Sequence, residues 1–79
     1  MRTILIKNKH MNDMRLMLEP WAQSFDIPPG AVVEVSGEFD EDTRRLELES
    51  YPENFIALWA PAGAVVRMGG VEMNPLKES

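Results

Sequence analysis

The residue best suited to exchange a proton near neutral pH is the single histidine, His10. It lies between Lys9 and Met11 in a polar turn, with Asp13 three residues further on. A catalytic base needs a group that orients it and a nucleophile that it activates. No nucleophile is marked near it, and the chain has no cysteine. We therefore expect His10 to be a solvated turn residue, and we predict no enzyme activity and no catalytic residues.

Carboxylates are the other groups with chemical potential, and they are concentrated in residues 38–53, which we call the acidic segment. It contains seven acids and two arginines, so it carries the whole net charge of −5. Its spacing does not match a Ca²⁺-binding EF-hand loop. Glu47 and Glu49 would lie about 7 Å apart on a strand, as a glycosidase pair could, but so short a chain has little room for a cleft. We predict neither a metal site nor a cofactor.

The acidic segment is instead predicted to contact a protein partner. Confined negative charge can steer a protein onto a basic groove and block it. The remaining 63 residues balance six acids against six bases, so the basic footprint for direct binding of nucleic acid is missing. The predicted partner-binding residues are Glu38, Asp40, Glu41, Asp42, Glu47 and Glu49.

Two tryptophans and a group of methionines complete the set of candidate functional residues. Trp21 and Trp59 each lie close to a proline and follow an apolar strand segment, so they could stack on a ligand. The favoured interpretation is that both rings plug the core or its ends, because aromatic side chains dominate small cores. Met11, Met14 and Met17 suit either gaps in the core or an adaptable contact surface.

Short strands must position these residues, because the dominant period of the sequence is two. Leu16 and Leu18 alternate with polar neighbours; residues 11–18 could instead form a helical turn, but Pro20 ends the segment early. The almost wholly apolar run 55–60 is predicted as a central strand, and Gly69-Gly70 as a two-residue hairpin turn. The predicted strands are 2–7, 15–19, 21–27, 31–35, 44–49, 55–60, 64–68 and 71–73.

Turn signals every 8–10 residues are typical of a small antiparallel β-sandwich or barrel, here with seven or eight strands. The sequence Pro-Pro-Gly-Ala-Val-Val at 28–33 recurs as Pro-Ala-Gly-Ala-Val-Val at 61–66. This recurrence predicts a turn-then-strand unit that is used twice, on matching corners of the two sheets.

The length of 79 residues predicts one domain over 1–75 and a flexible tail over 76–79. The absence of cysteine fits a reducing cytoplasm, and we expect neither a signal peptide nor a membrane span. A core this small has no disulfide to support it, so self-association is one way for the chain to gain stability.

The run Leu18-Glu19-Pro20-Trp21, followed by residues 26–35, resembles a group of small uncharacterised bacterial proteins. Their members read roughly LEPWG, then LPPGA and VEV, and end in a W-PG pattern that corresponds here to residues 59–66. The resemblance spans residues 1 to about 72, and it departs from the group at Ala22, where the group usually has glycine. It implies a compact β fold and carries no activity.

By type alone, without a matched motif, the chain is similar to small acidic phage-encoded inhibitors such as anti-CRISPR proteins. The leading hypothesis is therefore a non-enzymatic protein-binding module that blocks a nucleic-acid-handling bacterial complex through its acidic surface. The alternative is a structural or assembly domain that self-associates through apolar β faces around Met14, Met17 and Phe55.

Overall fold

Eight short strands make up the regular structure of the part of the chain that the structure describes. The computed structural model describes residues 1–39 and 53–76, and it describes residues 48–51 as backbone. No helix occurs within these ranges, so the predicted all-β fold of seven or eight strands is confirmed. The strands are β1 (Arg2–Lys7), β2 (Met14–Glu19), β3 (Gln23–Ile27), β4 (Val32–Gly37), β5 (Leu48–Tyr51), β6 (Phe55–Trp59), β7 (Val65–Met68) and β8 (Val71–Glu72).

The strands form two four-stranded sheets. The first sheet has the order β1-β4-β7-β8 and the second has the order β3-β2-β6-β5. β6 lies between β2 and β5, which confirms that the apolar run near Phe55 is a central strand. The pairs described are antiparallel, as predicted, with the exception of β2 and β6, which are parallel. β2 and β6 are joined by a long crossover instead of a hairpin, because the chain passes through β3, then β4 of the first sheet and then β5 before it reaches β6.

The core lies between the two sheets and is lined by alternate residues of the strands. Leu16 and Leu18 of β2 are fully buried, and Leu18 is paired with Leu58 of β6. Val33 and Val35 of β4 contribute the facing side of the same cluster. This alternation of period two shows that residues 14–19 form a strand and not a helical turn.

The repeated hexapeptide forms the same structure twice. In each copy the fourth residue donates its N–H to the carbonyl of the first proline, from Ala31 to Pro28 at 3.1 Å and from Ala64 to Pro61 at 3.3 Å. The glycine at the third position has a φ of 78° in one turn and 79° in the other, as a type II turn requires. The two units lead into β4 and β7, which are neighbours in the first sheet, so the expectation of one unit per sheet is wrong.

Two contacts outside the ladders join the sheets at their margins. The side chain of Asn8, just after β1, donates to the carbonyl of Ile27 at the end of β3. Beyond β8, the N–H of Met73 donates to Val66 O of β7, within the first sheet, at 2.7 Å. The N–H of Leu76 then donates to Ser24 O of β3, in the second sheet, at 2.8 Å. The chain therefore crosses from the first sheet to the second as far as Leu76, the first residue of the predicted tail; residues 77–79 lie outside the described ranges. Across these ranges, we find no helix with the length and apolar character needed to cross a membrane.

Candidate functional site

The acidic segment connects the first sheet to an edge of the second. Glu38 follows β4, is exposed, and pairs with the amino group of Met1 at 3.5 Å. Glu49 lies in β5 at the position opposite Ala57 of β6. The other predicted partner-binding residues, Asp40, Glu41, Asp42 and Glu47, lie outside the described residues. The structure thus places the two ends of the predicted site and leaves its middle as a prediction.

The downstream end of the acidic segment leads into the second sheet next to a tryptophan. β5 begins at Leu48, which is paired with Leu58 of β6. Leu58 immediately precedes Trp59, the last residue of β6. Residues 40–47 therefore lead into β5, whose first residue, Leu48, is paired with the residue that precedes Trp59.

Neither Trp21 nor Trp59 belongs to the buried core, so of the two positions expected for the rings, the core or its ends, the first is wrong. Trp21 is 47% exposed and Trp59 is 46% exposed. Trp59 follows the fully buried Leu58 on its strand, so alternation places it on the outer face of the second sheet. Trp21 lies in the turn between β2 and β3, two residues before Gln23, where β3 begins, although the predicted strand begins at residue 21. Aliphatic side chains, Met14 and Phe25 fill the interior of the core.

Both tryptophans nevertheless lie at one corner, because the neighbouring strands β2 and β6 are parallel and their C-terminal ends lie at the same end of the sheet. Glu19, the last residue of β2, is paired with Trp59. Glu19 O accepts a hydrogen bond from the N–H of Ala60 at 2.9 Å. Trp21 Nε1–H donates to Ala60 O at 2.8 Å, which fixes the indole against the end of β6. We call Glu19, Trp21 and Trp59 the tryptophan corner.

The turn that carries Trp21 has an unusual backbone. The peptide bond between Glu19 and Pro20 is cis, and Ala22 has a φ of 55°. This φ lies in the left-handed region, where glycine is favoured over residues that have a Cβ atom. Ala22 is the position at which the resemblance expects glycine.

The outer face of the second sheet continues from the corner as a mixed surface. Phe55 and Met17 are half-buried and Ala57, paired with Met17, is buried. Next to them, Arg15 Nε and Asp26 Oδ1 form an ion pair at 3.1 Å. Met14, proposed for the self-association surface, is only 2% exposed and belongs to the core, so that surface can include Met17 and Phe55 but not Met14.

His10 lies in the exposed loop after β1. It is exposed, and its backbone N–H donates to Asn8 Oδ1 at 2.8 Å. Within the described ranges, no group of three or more His, Cys, Asp or Glu residues is placed to hold a metal ion.

The sequence carried a signal for the tryptophan corner, since each tryptophan lies within two residues of a proline at the end of an apolar run. What it did not reveal is the parallel pairing of β2 and β6, which is the feature that brings these two ends together. No family model, curated protein or solved structure matches the chain.

Proposed function

We propose that the chain is a non-enzymatic protein-binding module that contacts a basic surface of its partner through the acidic segment. The observation that carries this proposal is the confinement of the whole net charge of −5 to residues 38–53. At one end of that segment Glu38 is exposed, and at the other end the chain enters the edge strand β5. Negative charge presented at the margin of a rigid sandwich speeds encounter with a positive groove and fixes the orientation of docking.

The finer proposal is that this module acts in the cytoplasm as a phage-type inhibitor. A basic groove in bacteria is commonly one that holds nucleic acid through its phosphates. An acidic protein seated there would exclude the nucleic acid by occupying the same charges. Residues Glu38, Asp40, Glu41, Asp42, Glu47 and Glu49 would make this contact.

Replacing carboxylates by amides tests the proposal while keeping side-chain shape. The immobilised chain is incubated with bacterial lysate, and the retained proteins are quantified by mass spectrometry at low and high salt. The test variant removes four charges from the acidic segment, and the control variant removes four charges elsewhere. The test variant is E38Q/D40N/E41Q/D42N and the control variant is D13N/E34Q/E72Q/E78Q.

We expect the test variant and high salt to remove the same specific partners, and the control variant to keep them. Attraction between exposed charges weakens steeply with ionic strength, since the screening length is about 10 Å at 0.1 M salt. Identical partner profiles for the parent and the test variant would exclude the acidic segment as the contact surface.

Self-association remains the second proposal, and one observation favours it. Trp59, Phe55 and Met17 leave apolar surface on the outer face of the second sheet. Sedimentation velocity at high protein concentration separates the two proposals, because a strictly monomeric chain is incompatible with an assembly role through this face.

A further inference from the structure

The tryptophan corner combines two half-exposed indoles with a carboxylate, and this combination has a specific complement. We propose that it holds the guanidinium group of an arginine side chain from the partner. The inference rests on the proposed function, because it takes the partner's surface to be basic. It adds a second contact point, the tryptophan corner, which lies outside the acidic segment. It also names the chemical group of the partner that would bind there, a guanidinium.

The first argument is that the indoles are reachable and pre-positioned. The hydrogen bond from Trp21 Nε1 to Ala60 O holds the Trp21 ring at the end of β6. Trp59 is the last residue of a central strand of the second sheet, and its backbone is paired with Glu19 of β2. On the other side of β6, the described pairing with β5 ends at Leu58. A ring that is already fixed loses little conformational freedom when a ligand binds to it.

The second argument is charge. Glu19 is paired with Trp59 across the parallel strands and is half-buried. No described cation pairs with its carboxylate, and Arg15, near the other end of β2, is paired with Asp26. Glu49 lies on the other side of β6, opposite Ala57, two residues before Trp59. Glu19 therefore places a carboxylate on the strand next to Trp59, and the acidic segment enters the sheet on the opposite side of β6.

The third argument is the match to arginine. A guanidinium is planar and weakly hydrated, stacks on aromatic faces, and can bind a carboxylate through two hydrogen bonds. Tryptophan is the aromatic residue that attracts cations most strongly. A neutral or proline-rich segment could cover the indoles, but it would leave the Glu19 carboxylate without a counter-charge. A lysine ammonium would satisfy the charge but not the stacking.

The chain offers a direct readout, because it has two tryptophans and hence two indole N–H signals in a ¹⁵N-correlated NMR spectrum. The signals are assigned with W21F and W59F. The probe is the peptide acetyl-Gly-Arg-Gly-Arg-Gly-amide, and its matched control replaces each arginine by citrulline, which has the same shape and no charge. We expect the arginine peptide to shift the Trp59 signal in a saturable manner and the citrulline peptide to leave it unchanged.

Two substitutions then locate the contact. E19Q is expected to weaken binding of the arginine peptide about two- to fivefold, the range for an exposed ion pair. E34Q, on the outer face of the first sheet, removes the same charge far from the corner and should leave the affinity unchanged. Equal shifts with the citrulline peptide would show that the corner binds uncharged groups, and absence of any shift would show that it binds neither; both outcomes overturn the proposal.

The peptide experiment and the lysate experiment test the two proposals independently, because either one can give a negative result without the other. Loss of partners from E38Q/D40N/E41Q/D42N without any indole shift would leave the acidic segment as the contact and remove the corner. Indole shifts that depend on Glu19, together with unchanged partner profiles for that variant, would retain the corner as an arginine site and remove the acidic segment.

Discussion

At the scale of single residues, Asn8 is the polar side chain on which the first loop depends. It is completely buried, and its Nδ2 donates to Ile27 O and to Asn12 O, each at 2.9 Å. Its Oδ1 accepts the backbone N–H of His10. A buried polar group is tolerated when its hydrogen bonds are complete, and those of Asn8 tie the loop after β1 to the end of β3.

Replacing Asn8 should therefore destabilise the protein strongly. N8A leaves three backbone groups without their partner, and we expect a loss of about 2–4 kcal/mol in the free energy of unfolding. N8D places a carboxylate against two carbonyl oxygens and should cost more than N8A. Urea unfolding followed by circular dichroism measures both, with N12A as the control, because Asn12 contributes only its backbone carbonyl; a loss below 1 kcal/mol for N8A would contradict this role.

Ala22 provides a prediction of the opposite sign. Its φ of 55° is one that a Cβ atom disfavours. A22G should raise the free energy of unfolding by about 0.5–1 kcal/mol, because glycine adopts this conformation without a steric penalty. The exposed Ala62, which has no positive φ, is the matched control: A62G should lower stability by a similar amount. If both substitutions lower stability, the turn does not have the conformation described.

At the scale of elements, the two copies of the turn-then-strand unit allow one copy to be used as a template for the other. They differ only in that Pro29 in the first turn is replaced by Ala62 in the second. Both residues occupy the second position of a type II turn, where proline is favoured. The N–H of Ala62 makes no hydrogen bond with a described residue, so a proline there would break none of the contacts seen.

We therefore expect A62P to stabilise the protein by about 0.4–1 kcal/mol, because it restricts the unfolded chain. P29A should cost a similar amount at the first turn. Thermal and urea unfolding of the two single variants and the double variant measure the effects. The two effects should add, because β4 and β7 are antiparallel and the turns that precede them therefore lie at opposite ends of the first sheet. Destabilisation by A62P would show that the two turns are not equivalent.

Local features of the elements were predictable, and the pairing of strands that are distant in the sequence was not. The period of two identified the strand at Leu16 and Leu18, and the pair Gly69-Gly70, with φ values of 61° and 82°, forms the two-residue turn between β7 and β8 as predicted. Each of these signals is local, because the residues that form it lie within a few positions of one another in the chain. The pairing of β2 with β6 joins residues about 40 positions apart. No local pattern encodes it, so the tryptophan corner could not be assembled from the sequence.

At the scale of the whole molecule, the excess charge lies in the segment that leads into β5, and exposed aromatic residues lie at the ends of the neighbouring strands β2 and β6. The acidic segment was recognised from composition alone, because excess charge is a property of sequence. The sequence favours a place for both tryptophans at the core or its ends, because hydrophobicity alone does not tell an inner strand position from an outer one. A protein with one layer of core between two thin sheets buries only one face of each strand, so a large apolar residue at the other parity stays in contact with solvent.

The hydrogen bond from Leu76 to Ser24 affects how copies of the protein behave in a concentrated solution. β3 is an edge strand, and an open edge offers unpaired backbone groups to any other extended chain. The segment that ends at Leu76 occupies part of that edge. A chain shortened before Leu76 would regain a template for intermolecular strand addition, so its first defect would be aggregation and not loss of fold.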